Sequence, residues 1–120
     1  MRICIPCVFP GGPTAQVEAF ENAEMLDYYE IGPDGSMDLM AQTRSCQGGC
    51  SDPVETVTRR GVDAVIVAGL SPNSLMRFNN AQVKVYETDG SPVRRLIGLL
   101  LAGELKEIGI DQFATLGKTR

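Results

Sequence analysis

Residues 62–69 constrain the fold of this chain more than any other stretch. They read Val-Asp-Ala-Val-Ile-Val-Ala-Gly, a nearly continuous apolar run rich in β-branched residues. A continuous run, unlike an alternating one, is typical of a strand covered on both faces, as in parallel sheets flanked by helices. We therefore predict that residues 62–68 form the central strand of an α/β domain.

The segments around this strand carry further strand and helix patterns. We predict strands at residues 2–8, 25–31, 37–43 and 83–87, and helices at 53–60, at 72–80 and after Ser91-Pro92. The turn sequence Gly32-Pro33-Asp34-Gly35 joins the second and third strands into a hairpin. The predicted fold is a mixed five-stranded sheet with helices on both faces. It occupies residues 1–105, and residues 106–120 form a C-terminal tail.

This order of elements predicts a binding edge. If the second strand lies antiparallel between the first and the third, the other four strands are parallel, and ligands favour the edge where parallel strands end. We call this edge the C-terminal rim. Three capping dipeptides would place helix N-termini there: Asp52-Pro53, Ser71-Pro72 and Ser91-Pro92. Their partial positive charges suit an anionic ligand, although ordinary capping explains them equally well.

Two cysteines lie in the loop predicted at this rim. Cys46 and Cys50 flank Gly48-Gly49, directly before the helix start at Asp52. The glycines allow a tight bend that turns backbone N–H groups inward, and a helix N-terminus favours thiolate over thiol. We predict that Cys46 and Cys50 bind a metal or cluster and that Gly48 and Gly49 contact it through the backbone.

The other cysteines form a C-x-x-C pair on the first strand. Cys4 and Cys7 are an odd number of residues apart, so they point to opposite faces of the strand. We expect Cys4 to be buried and inert. Cys7 lies where the strand leaves the sheet and is a third candidate metal contact. Met37, Met40 and Met76 could offer thioether ligands, but methionine in strands and helices more often packs in the core.

The composition excludes several functions. The chain has no histidine, so imidazole ligation and Ser-His or Cys-His nucleophile pairs are absent. A net charge of −4 without a basic cluster argues against nucleic acid as a partner. We see neither a signal peptide nor an apolar run long enough to cross a membrane, so we expect a cytoplasmic protein with reduced thiols.

Five stretches carry a resemblance to a known family: Arg2-Ile3-Cys4-Ile5-Pro6, Gly61-Val62-Asp63-Ala64-Val65-Ile66, Gly69-Leu70-Ser71-Pro72-Asn73-Ser74-Leu75, Val83-Lys84-Val85-Tyr86 and Leu101-Ala102-Gly103-Glu104-Leu105. In order and spacing they resemble the dinitrogenase iron–molybdenum-cofactor-binding family. The resemblance implies a ribonuclease-H-like sheet and a non-enzymatic protein that binds or carries a molybdenum-containing metal–sulfur cluster, with iron or copper. It also implies cofactor contacts at Ser71 and Asn73, and a protein that donates or accepts the cluster.

The chain departs from this family where members often carry histidine. Residues 19–23 read Ala-Phe-Glu-Asn-Ala in place of a His-Phe-Gly-Arg-Ala-like stretch. The loop after the third strand has Cys46 and Cys50 where members often have a histidine. Three alternatives therefore stay open: a zinc or other single-metal site, a thiol–disulfide redox protein that uses Cys46 and Cys50, and an interaction module in which these cysteines are incidental.

Overall fold

The computed structural model describes residues 1–44 and 52–109 of the chain. Its elements follow in the order β1 (Arg2–Cys7), a 3-10 turn (Phe20–Asn22), β2 (Met25–Ile31), β3 (Met37–Arg44), α1 (Pro53–Arg59), β4 (Ala64–Val67), α2 (Pro72–Asn80), β5 (Lys84–Glu87), α3 (Val93–Leu101) and β6 (Lys106–Glu107). The three helices and the first five strands are those predicted from the sequence, with ends that differ by one or two residues.

The strands form one mixed sheet in the spatial order β3-β2-β1-β4-β5-β6. As predicted, β2 lies antiparallel between β1 and β3, while β1, β4 and β5 are parallel. The prediction of five strands is wrong, because Lys106 and Glu107 pair antiparallel with β5 as a sixth strand. Two charged residues carry no hydrophobic period, so the sequence gives no signal for such a strand.

The predicted central position of β4 is confirmed. Its side chains alternate between two core layers: Val65 and Val67 pack on one face, Ala64 and Ile66 on the other. The first layer contains buried residues of α1 and α2, and the second contains those of α3. Because helices cover both faces, the strand needs no polar side, which explains its continuous apolar sequence.

Two large apolar residues on the helices are exposed. Met76 and Leu101 are 49% and 41% exposed. The buried stripe of α2 consists of Ser74, Leu75 and Phe78. Successive helical residues are separated by about 100°, so Met76 points away from this stripe. Leu101 is the last residue of α3 and lies beyond the stripe that ends at Leu100.

Candidate functional site

The predicted C-terminal rim is present in the structure. The four strands that run in the same direction end at Cys7, Arg44, Val67 and Glu87. The chain therefore leaves these four strands at one edge of the sheet. The predicted ligands Cys46 and Cys50 and the predicted contacts Gly48 and Gly49 lie outside the described residues. Arg44 ends β3 just before that segment, and Asp52 caps α1 just after it.

A buried carboxylate lies beneath the Pro-Gly loop of residues 9–13 at this rim. Asp27, on β2, is fully buried. Its Oδ2 accepts a hydrogen bond from the Gly12 N–H at 2.7 Å, and its Oδ1 accepts one from Gln42 Nε2 at 3.0 Å. The same Gln42 amide donates to the Pro10 carbonyl at 3.1 Å. Asp27 and Gln42 thus fasten the loop onto β2 and β3.

Close packing leaves Gly11 no room for a side chain. A Cβ at this position would lie 2.6 Å from Asp27 Oδ2 and 2.7 Å from Gln42 Nε2. The φ angle of Gly11 is 77°, a left-handed conformation that L side chains rarely adopt. The backbone of the loop can approach the carboxylate this closely only because the residue is glycine.

Cys7 is a protonated thiol in this environment. Its side chain is buried and hydrogen-bonded to Asp27. Burial, followed by the negative charge of Asp27, raises the pKa of Cys7 to about 12. The hydroxyl of Tyr29 is also buried and has no hydrogen-bond partner in the described parts of the chain. A metal at Cys7 would have to displace the thiol proton and separate the sulfur from Asp27.

Cys4 is buried, as predicted. It packs in the core layer beneath α1 and α2, and its thiol forms no disulfide. Burial is the main cause that raises the pKa of Cys4, so it carries no charge at neutral pH. These properties fit a small core residue rather than a ligand.

The N-terminus of α2 already holds a carboxylate. The Glu21 side chain accepts hydrogen bonds from the Ser71 N–H at 3.0 Å, the Ser71 hydroxyl at 3.3 Å and the Ser74 hydroxyl at 2.7 Å. Ser71 also caps the helix by accepting from the Ser74 N–H at 3.2 Å. Asn73 is exposed in the first turn. An anionic ligand at Ser71 would therefore compete with Glu21.

The other two helix starts differ from each other. Asp52 caps α1 by accepting from the Val54 N–H at 3.0 Å, and it forms an ion pair with Arg77 of α2. The Arg77 guanidinium is the main cause that lowers the pKa of Asp52. The predicted cap at Ser91 is wrong. Its N–H donates to Asp89 Oδ1 at 2.9 Å in a turn, and α3 begins only at Val93 without a side-chain cap.

Residues 1–44 and 52–109 contain no group of three or more Cys, Asp or Glu side chains arranged to hold a metal ion. A metal site built from three or more such side chains would therefore need residues outside these ranges, among which are Cys46 and Cys50. Within the same residues, no helix has the length and apolar character needed to span a membrane.

The raised pKa values of the Cys7 thiol and the Tyr28 hydroxyl predict that the free energy of unfolding falls in alkaline solution. Folding raises the pKa of Cys7 from 9.0 and that of Tyr28 from 10.0, each to about 12. Their contribution is complete below about pH 9 and is lost as pH rises toward 12, at about 1.4 kcal/mol per pH unit and group. Urea unfolding measured across this pH range should show the decline in unfolding free energy. The Cys7→Ser variant should show a shallower decline. An unfolding free energy that does not change with pH in this range would contradict the raised pKa values of these two groups.

The mixed sheet and the helices on its two faces define a small α/β domain. The chain belongs to the dinitrogenase iron-molybdenum cofactor family, whose model matches residues 1–103. This finding confirms the family resemblance of the sequence. Among proteins with curated descriptions, none matches this chain.

Solved structures share the fold. The crystal structure of PH0822 has a TM-score of 0.73 at 17% identity, covering 89% of this chain and 94% of that protein. The Thermotoga protein TM1290, described as a candidate NifB protein of the DUF35 family, has a TM-score of 0.68 at 26% identity, with coverages of 88% and 91%. The apo orange protein from Desulfovibrio gigas has a TM-score of 0.68 at 17% identity, with coverages of 89% and 92%.

Proposed function

We propose that this protein binds or carries an anionic molybdenum-containing metal–sulfur cluster, with iron or copper as the second metal, and catalyses no reaction. The observation that carries the proposal is the match to the iron-molybdenum cofactor family over residues 1–103. The cluster is cargo, so a donor or acceptor protein is its natural partner. The domain is proposed as a ribonuclease-H-like variant extended by β6, and the free thiols Cys4 and Cys7 suit the reducing cytoplasm.

The proposed ligands are the thiolates of Cys46 and Cys50, assisted by backbone N–H groups of Gly48 and Gly49. Two features of the described residues support this choice. β3 ends at the rim directly before this segment, and α1 begins at Asp52-Pro53 directly after it, where its dipole favours a nearby thiolate. Without histidine, thiolate is the strongest soft ligand that the chain offers.

Ser71, Asn73 and Cys7 are proposed as secondary contacts with unequal structural support. Asn73 is exposed in the first turn of α2, so a ligand would not have to displace a buried contact there. Ser71 can do so only if Glu21 yields its hydrogen bonds. Cys7 can do so only if the Asp27 contact opens, since its thiol is buried. Cys46 and Cys50 are therefore the proposed primary ligands, and the other three residues are proposed as secondary contacts only.

Reconstitution without oxygen tests the proposal. The protein is incubated with tetrathiomolybdate and Cu(I), with tetrathiomolybdate and Fe(II), or with Zn(II) alone, and is then desalted. We expect molybdenum and visible absorption to remain with the protein in at least one of the first two mixtures. Retention of stoichiometric zinc, with no molybdenum in either mixture, would contradict the proposal and favour a single-metal site.

A further inference from the structure

A cavity of about 270 Å³ is lined by Arg2, Tyr28, Met40, Ala41 and Arg60. Arg2 is the first residue of β1, and Arg60 follows the last residue of α1. At about 3.3 Å per strand residue, Arg2 is roughly 17 Å from Cys7 at the other end of β1. The Arg2 end of the cavity is therefore distant from the candidate contact Cys7.

The charged wall of this cavity consists of two neighbouring guanidinium groups. Arg60 stacks over the Tyr28 ring, with its Cζ 4.6 Å from the ring centroid. Arg2 Nη1 donates to the Arg60 carbonyl at 3.0 Å, while its Nη2 lies 3.6 Å from a Glu30 oxygen. Within the described residues, the Arg60 guanidinium takes part in no ion pair. The cavity thus has an excess of positive charge in a protein of net charge −4.

The opposite wall is apolar because β3 has an irregularity. Tyr28 pairs with Ala41 and Tyr29 pairs with Leu39, so Met40 is left without a partner on β2. Such a bulge redirects the side chain of the extra residue. Met40 is 59% exposed and borders the cavity instead of packing in the core, contrary to the sequence expectation.

We propose that this cavity binds a small organic carboxylate with an apolar body. A guanidinium fork matches a carboxylate through two parallel hydrogen bonds, and stacking on Tyr28 fixes the plane of the Arg60 fork. Met40 and Ala41 offer contact to the apolar body. At roughly 30 Å³ per water, the cavity holds about nine waters, which is enough for a ligand of a few carbon atoms. This site does not depend on the proposed cluster function.

Titration with acetate and hexanoate, followed by NMR shifts of Arg60 and Met40, tests the proposal. We expect saturable shifts with both, and tighter binding of hexanoate because of its apolar chain. Arg60→Gln should weaken hexanoate binding by about tenfold or more, since it removes a charge-assisted hydrogen-bond pair. Arg60→Lys should give an intermediate affinity, because it keeps the charge but loses the fork.

Arg59→Gln is the matched control. Arg59 is the neighbouring residue, forms an ion pair with Glu55 and does not line the cavity. Its replacement should change hexanoate affinity by less than about twofold. Equal losses in Arg59→Gln and Arg60→Gln would show nonspecific charge attraction and overturn the proposal. Absence of saturable shifts in a folded parent protein would overturn it as well.

Discussion

Replacing Gly11 with alanine should lower the free energy of unfolding by about 3 kcal/mol. The left-handed conformation of this residue costs an L-amino acid about 1–2 kcal/mol. In addition, the new Cβ would collide with the Asp27 carboxylate and the Gln42 amide. Both groups are held by hydrogen bonds to the same loop, so relief of the collision would break contacts to the buried Asp27 carboxylate. Urea unfolding measures the loss.

Gly12→Ala separates the collision from backbone strain. Gly12 also has a positive φ, 99°, but a Cβ there would meet nothing within 4 Å. We expect this variant to lose only the conformational part, about 1–2 kcal/mol. Equal destabilisation by the two variants would mean that the Asp27 carboxylate does not fix the loop in the way that the structure indicates.

Replacing Cys46 and Cys50 together with serine should reduce cluster loading to background and leave the fold intact. Serine is nearly isosteric with cysteine but is a poor ligand for soft metals. We expect the loop that carries both residues to lie at the surface, so the unfolding free energy should change by no more than about 0.5 kcal/mol. Molybdenum content after reconstitution and desalting measures loading, and urea unfolding measures the fold.

The paired replacement Ser45→Ala and Ser51→Ala is the control, because it alters the same segment and keeps both thiols. It should load as well as the parent protein. If the cysteine double variant also loads as well as the parent, the cluster is held by backbone groups and electrostatics. The thiol assignment would then be wrong, although the proposed carrier function would remain.

The fold was largely predictable because its main signals are local. The continuous apolar run at β4 indicates burial on both faces, and the Pro33–Gly35 turn predicts the β2–β3 hairpin. The capping residues Asp52 and Ser71 were equally clear, since an N-cap is read from adjacent residues. The sixth strand was missed because two charged residues acquire strand structure only by pairing with β5.

The site was less predictable because its contacts join residues that are distant in sequence. Asp27 interrupts the apolar strand β2, and this buried polar position was an available signal. Its partners Gly12 and Gln42 are each 15 residues away. Glu21 reaches the start of α2 from 50 residues away in the chain. No periodicity or spacing in a single sequence encodes such pairings. The binding of the Glu21 carboxylate at the N-terminus of α2 is therefore visible only in the structure.

Metal and sulfide analysis of protein purified without oxygen, together with its visible absorption spectrum, tests the central claim most directly. The account predicts molybdenum together with acid-labile sulfide and either iron or copper, in fixed ratio to protein, and visible absorption that disappears when the cluster is lost. Protein that is colourless, contains zinc alone or no metal, and acquires no molybdenum on reconstitution would contradict the account.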